Sequence, residues 1–284
     1  MTPFRLPDET HLGRVKLQIA DLDRSIAYYN RVIGLRTMQR AGESAVLGGH
    51  GDDTPIIELV EHRKARPVPR RGLLGLYHFA ILLPDRASLG RFVRHLSELD
   101  IAAGMSDHLV SEAIYLQDPD NLGIEVYADR PRSTWRYDQG QLSMGTTPLD
   151  VDDLMAASGD EQWSGAPPGT RIGHVHLHVG DIERAATFYH DGLGLDKTVW
   201  NYPGALFLSA GGYHHHLGTN TWARGAQSAS EEDARLLDWE VVVPEQADVD
   251  AAAANLERNG YHVERDGMVA AARDPWGTQV TVRR

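Results

Sequence analysis

Residues 12–35 read LGRVKLQIADLDRSIAYYNRVIGL, and residues 172–195 read IGHVHLHVGDIERAATFYHDGLGL. The two stretches align without a gap at an offset of 160. They match Gly13 with Gly173, Val15 with Val175, Leu17 with Leu177, Asp21 with Asp181, Arg24 with Arg184, Tyr29 with Tyr189, and Gly34-Leu35 with Gly194-Leu195. Each opens with apolar residues at every second position, the period of a strand with one buried face. An aspartate follows where a helix needs an acceptor for its first free N–H groups, and the helical run leaves through Gly-Leu, glycine being the residue suited to a left-handed exit. A fainter pair lies at the same offset: residues 77–84 (YHFAILLP) and 237–244 (LDWEVVVP), each before a helical segment. Both of these later reach an Asp-Pro turn, Asp118-Pro119 and Asp274-Pro275, ahead of a last strand.

Repetition at a fixed period is a statement about architecture. The chain parses into four strand–helix–strand–strand–strand units, near residues 10–62, 75–128, 171–220 and 236–284. Between the second and third, residues 131–169 are rich in Pro, Gly, Asp and Ser and read as a connector with one short helix near 149–157. The expected class is α+β, with units one and two in a segment 1–130 and units three and four in 170–284.

Composition narrows the function. With 284 residues, 42% hydrophobic and 24% charged, the chain can bury one large core or two ordinary ones. A net charge of −12 argues against nucleic acid or an anionic membrane as partner. No apolar run is long enough to span a membrane, and the polar start lacks a signal-peptide core, so a cytoplasmic protein is expected. Zero cysteines exclude disulfides, thiolate metal sites and cysteine nucleophiles. Any metal must rest on His, Asp and Glu, and 14 histidines supply that need.

The second informative stretch is residues 107–125, DHLVSEAIYLQDPDNLGIE. It reads as two strands joined by an Asp-Pro-Asp-Asn turn, which brings His108, Tyr115 and Glu125 to one sheet. A lone acid inside the apolar strand Gly-Ile-Glu-Val-Tyr needs a compensating partner, because burying an unpaired carboxylate is costly. A metal is one such partner.

This stretch resembles the signature of type I extradiol dioxygenases: a histidine, a strand ending in hydrophobic-Tyr (Ile114-Tyr115), an acid-Pro turn (Asp118-Pro119), and a glutamate, here Glu125. Two departures are Ser106, where Gly or Asn is more usual, and Asn121, which replaces a turn glycine. The four βαβββ units resemble the vicinal oxygen chelate superfamily, which includes glyoxalases, bleomycin resistance proteins and the two-domain catechol 2,3-dioxygenases. The resemblance implies two domains, each a curled mixed sheet made by two units around one site. It also implies that metal ligands come from the first and last strands of units. The first-strand position holds Arg14, His78, His174 and Asp238 in units one to four, and the last-strand position holds Glu125 in unit two and Thr281 in unit four. Pairing unit one with unit two would put Arg14, a non-ligand, at the third position, with His11 as the fallback. Pairing two with three, and one with four, joins His78, Glu125 and His174, and this set is the expected one.

By the same resemblance the metal is Fe(II), with Mn(II) as the alternative, and the partners are a catechol-type diol and dioxygen. His215 of Tyr213-His214-His215-His216 is the expected acid–base residue, and Tyr115 and His108 sit beside the substrate oxygens. On a strand His214 and His216 would face away together, and a slip of one residue would reverse the assignment. Simpler readings stand elsewhere: His176 and His178 as half-exposed polar surface, Arg14 and Lys16 as a solvated strand face, Tyr28-Tyr29 and Phe188-Tyr189 as helix faces packed on a sheet. Glu58, Glu61 and His62 read as surface charge. Trp135, Tyr137, Trp163, Trp200, Tyr202 and Trp222 are candidate pocket aromatics with core packing as the plainer role. Two other functions fit the fold, a glyoxalase-like lyase and a metal-free binding protein, and oligomeric state stays open.

Overall fold

The computed structural model describes residues 3–284. Unit one comprises β1 (His11–Ile19), α1 (Leu22–Tyr28) running into a π-helical turn, β2 (Arg36–Ala41), β3 (Ser44–Gly48) and β4 (Pro55–Glu61). Unit two repeats the order with β5 (Gly75–Leu82), α2 (Arg86–Glu98), β6 (Gly104–Asp107), β7 (Ser111–Gln117) and β8 (Gly123–Asp129). The connector holds a hairpin, β9 (Tyr137–Asp138) and β10 (Gln141–Leu142), and the expected short helix α3 (Val151–Ala157). Unit three has β11 (Arg171–His178), α4 (Ile182–Ala186) with its own π-helical turn, β12 (Asp196–Val199), β13 (Ala205–Ser209) and β14 (Leu217–Asn220). Unit four has β15 (Arg235–Val242), α5 (Gln246–Arg258), β16 (Val263–Asp266), β17 (Val269–Arg273) and β18 (Gln279–Arg283). No described helix is long and apolar enough to cross a membrane.

The repeated helix signals work as their chemistry demands. The Asp21 and Asp181 carboxylates accept the N–H of Arg24 at 2.9 Å and of Arg184 at 2.8 Å. Gly34 and Gly194 leave at φ of 80° and 93°, conformations a side chain resists.

Two eight-stranded sheets result, ordered β16-β17-β18-β15-β1-β4-β3-β2 and β12-β13-β14-β11-β5-β8-β7-β6. The seams are antiparallel pairs, β1 with β15 and β5 with β11, while the first and last strands of each unit run parallel. Unit one thus pairs with four, and two with three, so each sheet takes one unit from either half of the chain. Alternation along the strands does the rest. Val15, Leu17 and Ile19 of β1, with Val175 and Leu177 of β11 and Phe79 and Ile81 of β5, turn into one shared apolar core. Fully burying each such side chain stabilises by about 1.5–3 kcal/mol. The opposite face of β11 presents His174, His176 and His178, and that of β1 presents Arg14 and Lys16.

The halves are also clasped in sequence order. Tyr29 donates its hydroxyl to Asp118 Oδ2 at 3.1 Å, and Asp118 Oδ1 accepts the N–H groups of Asp120 and Leu122 at 2.8 and 2.9 Å. The same device recurs 160 residues on, where Tyr189 donates to Asp274 Oδ2 at 2.8 Å, and Asp274 Oδ1 accepts from Trp276 and Thr278 at 2.9 Å. The conspicuous helix tyrosines therefore pack on the sheets, and each holds the final turn of the following unit.

Candidate metal centre and cavity

Three strands of one sheet deliver the central side chains. The parallel pairing of β5 with β8 sets Ala80 opposite Glu125, and the antiparallel pairing of β5 with β11 sets His78 opposite His176 and Ala80 opposite His174. The β11 register shifts between Ile172 and His174, a bulge that re-aims the strand. Gly173 sits at that shift because nothing larger fits: a Cβ there would lie 1.8 Å from the Tyr127 hydroxyl. The result brings His78 Nε2 to 3.0 Å and His174 Nε2 to 3.2 Å from the same oxygen, Glu125 Oε2. The three potential ligand atoms lie within 4.8 Å of one another, and all three residues are buried.

Electrostatics suit a cation. Burial pushes the Glu125 carboxyl up, but His174 and His78 outweigh it and hold it well below the usual range. Burial pushes the His174 imidazole down to about 4, against the pull of Glu125. His78 Nε2, although 3.0 Å from Glu125 Oε2, lies off the line a hydrogen bond needs and makes none, and the second ring nitrogen of His174, Nδ1, is buried without a partner. Convergent imidazole nitrogens and one carboxylate, with an orphaned nitrogen among them, are the donor set of a borderline divalent metal, including the two-histidine, one-carboxylate pattern of non-haem iron. The residues fit such an ion.

A cavity of about 270 Å³ opens beside the trio. His108 Nδ1 lies 2.7 Å from the Gly145 carbonyl, so that nitrogen carries the hydrogen and Nε2 is left to accept. Tyr115, 2.6 Å from Nε2, is therefore the donor of that bond. Burial raises the Tyr115 phenol well above its ordinary value, and the Glu125 charge adds to the rise. His215 lines the opposite wall, its ring 4.1 Å from that of His174. Tyr202, Phe207 and Trp222 complete an aromatic rim, and Met144, Gly145 and Thr146 of the connector close over it.

The motif residues His78, His108, Tyr115, Glu125, His174 and His215 thus surround one cavity. His11 does not; it sits exposed at the start of β1 with Nδ1 near the Glu9 carbonyl. The histidine triplet is a bent loop between β13 and β14, so strand alternation is not what orients it. His215 faces the cavity, His214 reaches Asp129, and His216 Nδ1 accepts the Ala210 N–H and lies 3.0 Å from the Ser209 hydroxyl. For His176 and His178 the reading as half-exposed surface is corrected: both are buried, and His176 lines the cavity. Asn220 bridges them, its Oδ1 2.7 Å from His178 Nδ1 and its Nδ2 2.9 Å from His176 Nε2. β11 is a central strand covered on both faces, so period-two alternation could not mark either face as exposed. Of the candidate aromatics, Tyr202 and Trp222 reach the cavity, Trp163 packs on Phe92, Trp135 packs on Tyr213 and His214, and Tyr137 and Trp200 are exposed. Asn220, Asp129 and the connector wall carried no recognisable signal, because each is defined by spatial neighbours distant in sequence.

The other sheet has the same geometry with different chemistry. Arg14 replaces His174, Asp238 replaces His78, and Thr281 replaces Glu125 by register. Arg14 and Arg283 bind Glu240 at 3.0 and 2.8 Å, Arg14 and Lys16 bind Glu58 at 3.0 and 2.9 Å, and Thr281 donates to Asp238 at 2.8 Å. Arg14 and Lys16 are thus members of an ion network, not merely a solvated face, and Glu58 is paired in it. This face is plugged by its own charges.

A paired-unit sheet with a buried His-Glu-His trio that could hold a metal on its open face is the architecture of the vicinal oxygen chelate type. The family model described as the glyoxalase/bleomycin resistance protein/dioxygenase superfamily matches residues 11–126 and 171–282, and the chain belongs to that superfamily. Within it the chain is dioxygenase-like. It is 46% identical over 272 residues to a catechol-2,3-dioxygenase of Bacillus subtilis, covering 94% of this chain and 95% of that protein. Among solved structures, one from Bacillus subtilis carrying a provisional dioxygenase name aligns over 98% of this chain and 86% of its own, at a TM-score of 0.68 and 11% identity. Glyoxalase I from Zea mays aligns over 97% and 92%, at a TM-score of 0.57 and 18% identity. These two share the fold.

Proposed function

We propose that the protein is an extradiol dioxygenase, which inserts dioxygen beside the two hydroxyls of a catechol-type diol to give a ring-opened semialdehyde-type product. His78, Glu125 and His174 would hold Fe(II), or alternatively Mn(II). When bound, such a cation supplies Lewis acidity to the diol oxygens and coordination positions for them and for dioxygen. The observation that carries the reading is the three-donor cluster with ligand atoms within 4.8 Å, opening on a cavity that also contains the His108–Tyr115 pair.

The chain's own groups then have defined work. Tyr115 spends its hydrogen on His108, so its oxygen faces the cavity as an acceptor for a diol hydroxyl. The aromatic rim offers faces to a planar ring, and the cavity lining carries no lysine or arginine, which suits a ring without a carboxylate arm. His215 acts as acid–base residue, taking and returning a proton at its cavity-facing nitrogen. A lyase of the same superfamily is the alternative.

The test is anaerobic reconstitution with Fe(II), followed by metal analysis and oxygen uptake over a small catechol panel. His78→Ala, His174→Ala and Glu125→Ala should each lose bound iron and uptake. His215→Ala should keep iron and lose turnover by ~10²–10⁴-fold, the usual worth of an acid–base group. Iron binding without uptake of oxygen by any catechol would move the lyase reading ahead.

A further inference from the structure

His214 is fully buried and has both ring nitrogens engaged. Its Nε2 is 2.9 Å from Asp129 Oδ1, and its Nδ1 is 2.7 Å from His215 Nδ1. Asp129 ends β8, on the same face as Glu125, and Oδ1 also accepts the Tyr213 hydroxyl at 3.1 Å. Tyr213 in turn is 2.7 Å from the Tyr127 hydroxyl, which must then be the donor of that bond. The carboxylate is half-buried and borders a cleft of about 200 Å³ on the far side of the wall from the substrate cavity.

The hydrogen positions follow from what each atom can do. A carboxylate only accepts, so the bond to Asp129 puts a hydrogen on His214 Nε2. A neutral imidazole carries a hydrogen on only one nitrogen, so with Nε2 donating to Asp129 the Nδ1 of a neutral His214 is a lone pair. The short contact between the two Nδ1 atoms then requires the hydrogen on His215, which leaves His215 Nε2 bare.

We propose that Asp129 and His214 are positioning residues that fix His215 in the tautomer whose Nε2 is free to accept a proton in the cavity. The proposal rests on the dioxygenase reading of His215. Without the chain, His215 can carry its hydrogen on either nitrogen and can rotate about its ring axis. Tyr127 and Tyr213 brace the far end by fixing the Asp129 carboxylate.

The experiment uses the full-length protein with 15N-labelled histidine, loaded with diamagnetic Zn(II), and long-range proton–nitrogen correlations that show which ring nitrogen is protonated. Wild type should show His215 protonated at Nδ1 and bare at Nε2. Asp129→Asn presents an amide that can donate to His214 Nε2, which reverses both tautomers. That variant should show the reversed pattern, with kcat of the Fe(II) form lowered roughly 10- to 100-fold, below the ~10²–10⁴ of losing the group itself. Its KM, iron content and melting temperature should stay near wild type, and Asp129→Glu should recover much of kcat. Wild-type His215 protonated at Nε2, or Asp129→Asn with unchanged correlations and kcat, would overturn the proposal. Wild type that takes up no oxygen yet shows the expected tautomer would instead sink the reading of the reaction.

Discussion

Asp118 shows how one residue in the motif can serve the fold instead of the chemistry. It belongs to the acid-Pro turn, yet its oxygens face Tyr29 and two backbone N–H groups, and burial pushes its carboxyl up to about 7. The folded chain therefore holds a proton there that the unfolded carboxyl, ordinarily near 3.8, has released. Between those values the folded state binds more protons, so this contribution to stability is full below about 4 and lost as pH rises through about 7. Asp118→Asn removes the dependence. Its melting temperature should fall furthest below wild type near pH 4–5 and close on it by pH 8; a gap constant across that range would show that Asp118 does not titrate in the folded chain. The sequence showed that an acid stands here but not which partner it faces, since Tyr29 is 89 residues away.

At the level of the element, the bulge in β11 is what aims His174. Gly173 matches Gly13 across the repeat, and the structure explains the glycine by the approach of Tyr127. Gly173→Ala would force the tyrosine aside, an overpacking change worth about 1–3 kcal/mol. Melting temperature and iron affinity should both drop, and adding Tyr127→Phe, which removes the nearest atom, should restore part of each. Strands, helix caps and Gly-Leu exits were legible because their signals are local and occur twice. The partial failures were of another kind. His176 and His178 read as surface because a strand covered on both faces gives no sequence sign of its burial, and the connector was expected to meet the pocket through Trp135, Tyr137 or Trp163, whereas residues 144–146 wall the cavity. The histidine triplet, expected on a strand, is a loop, from which His215 reaches the cavity wall.

For the whole molecule, the unit order predicts a stoichiometry. The second sheet has the shape of the first, but Arg14 and Arg283 form ion pairs with Glu240 where ligands would stand, the three together leaving a net positive charge. One metal per chain is expected by elemental analysis, and two would show that the ion network yields to a cation. The pairing of units was readable because only units two and three offer first-strand histidines; the cross-clasp by Tyr29 and Tyr189 was not, since nothing local reports which turn a helix will meet.

The crossing of sheets between halves also sets a timetable for synthesis. A chain leaving the ribosome displays His78 and Glu125 long before His174, and β1, made first, waits for β15 of the last unit to cover its open edge. A product that stops within the connector has the glutamate and one histidine but lacks their partner strand, and its first unit has no neighbour. If the trio holds a metal as proposed, uptake of that metal would report that translation has passed β11, and a prematurely ended polypeptide would expose two unpaired sheet edges.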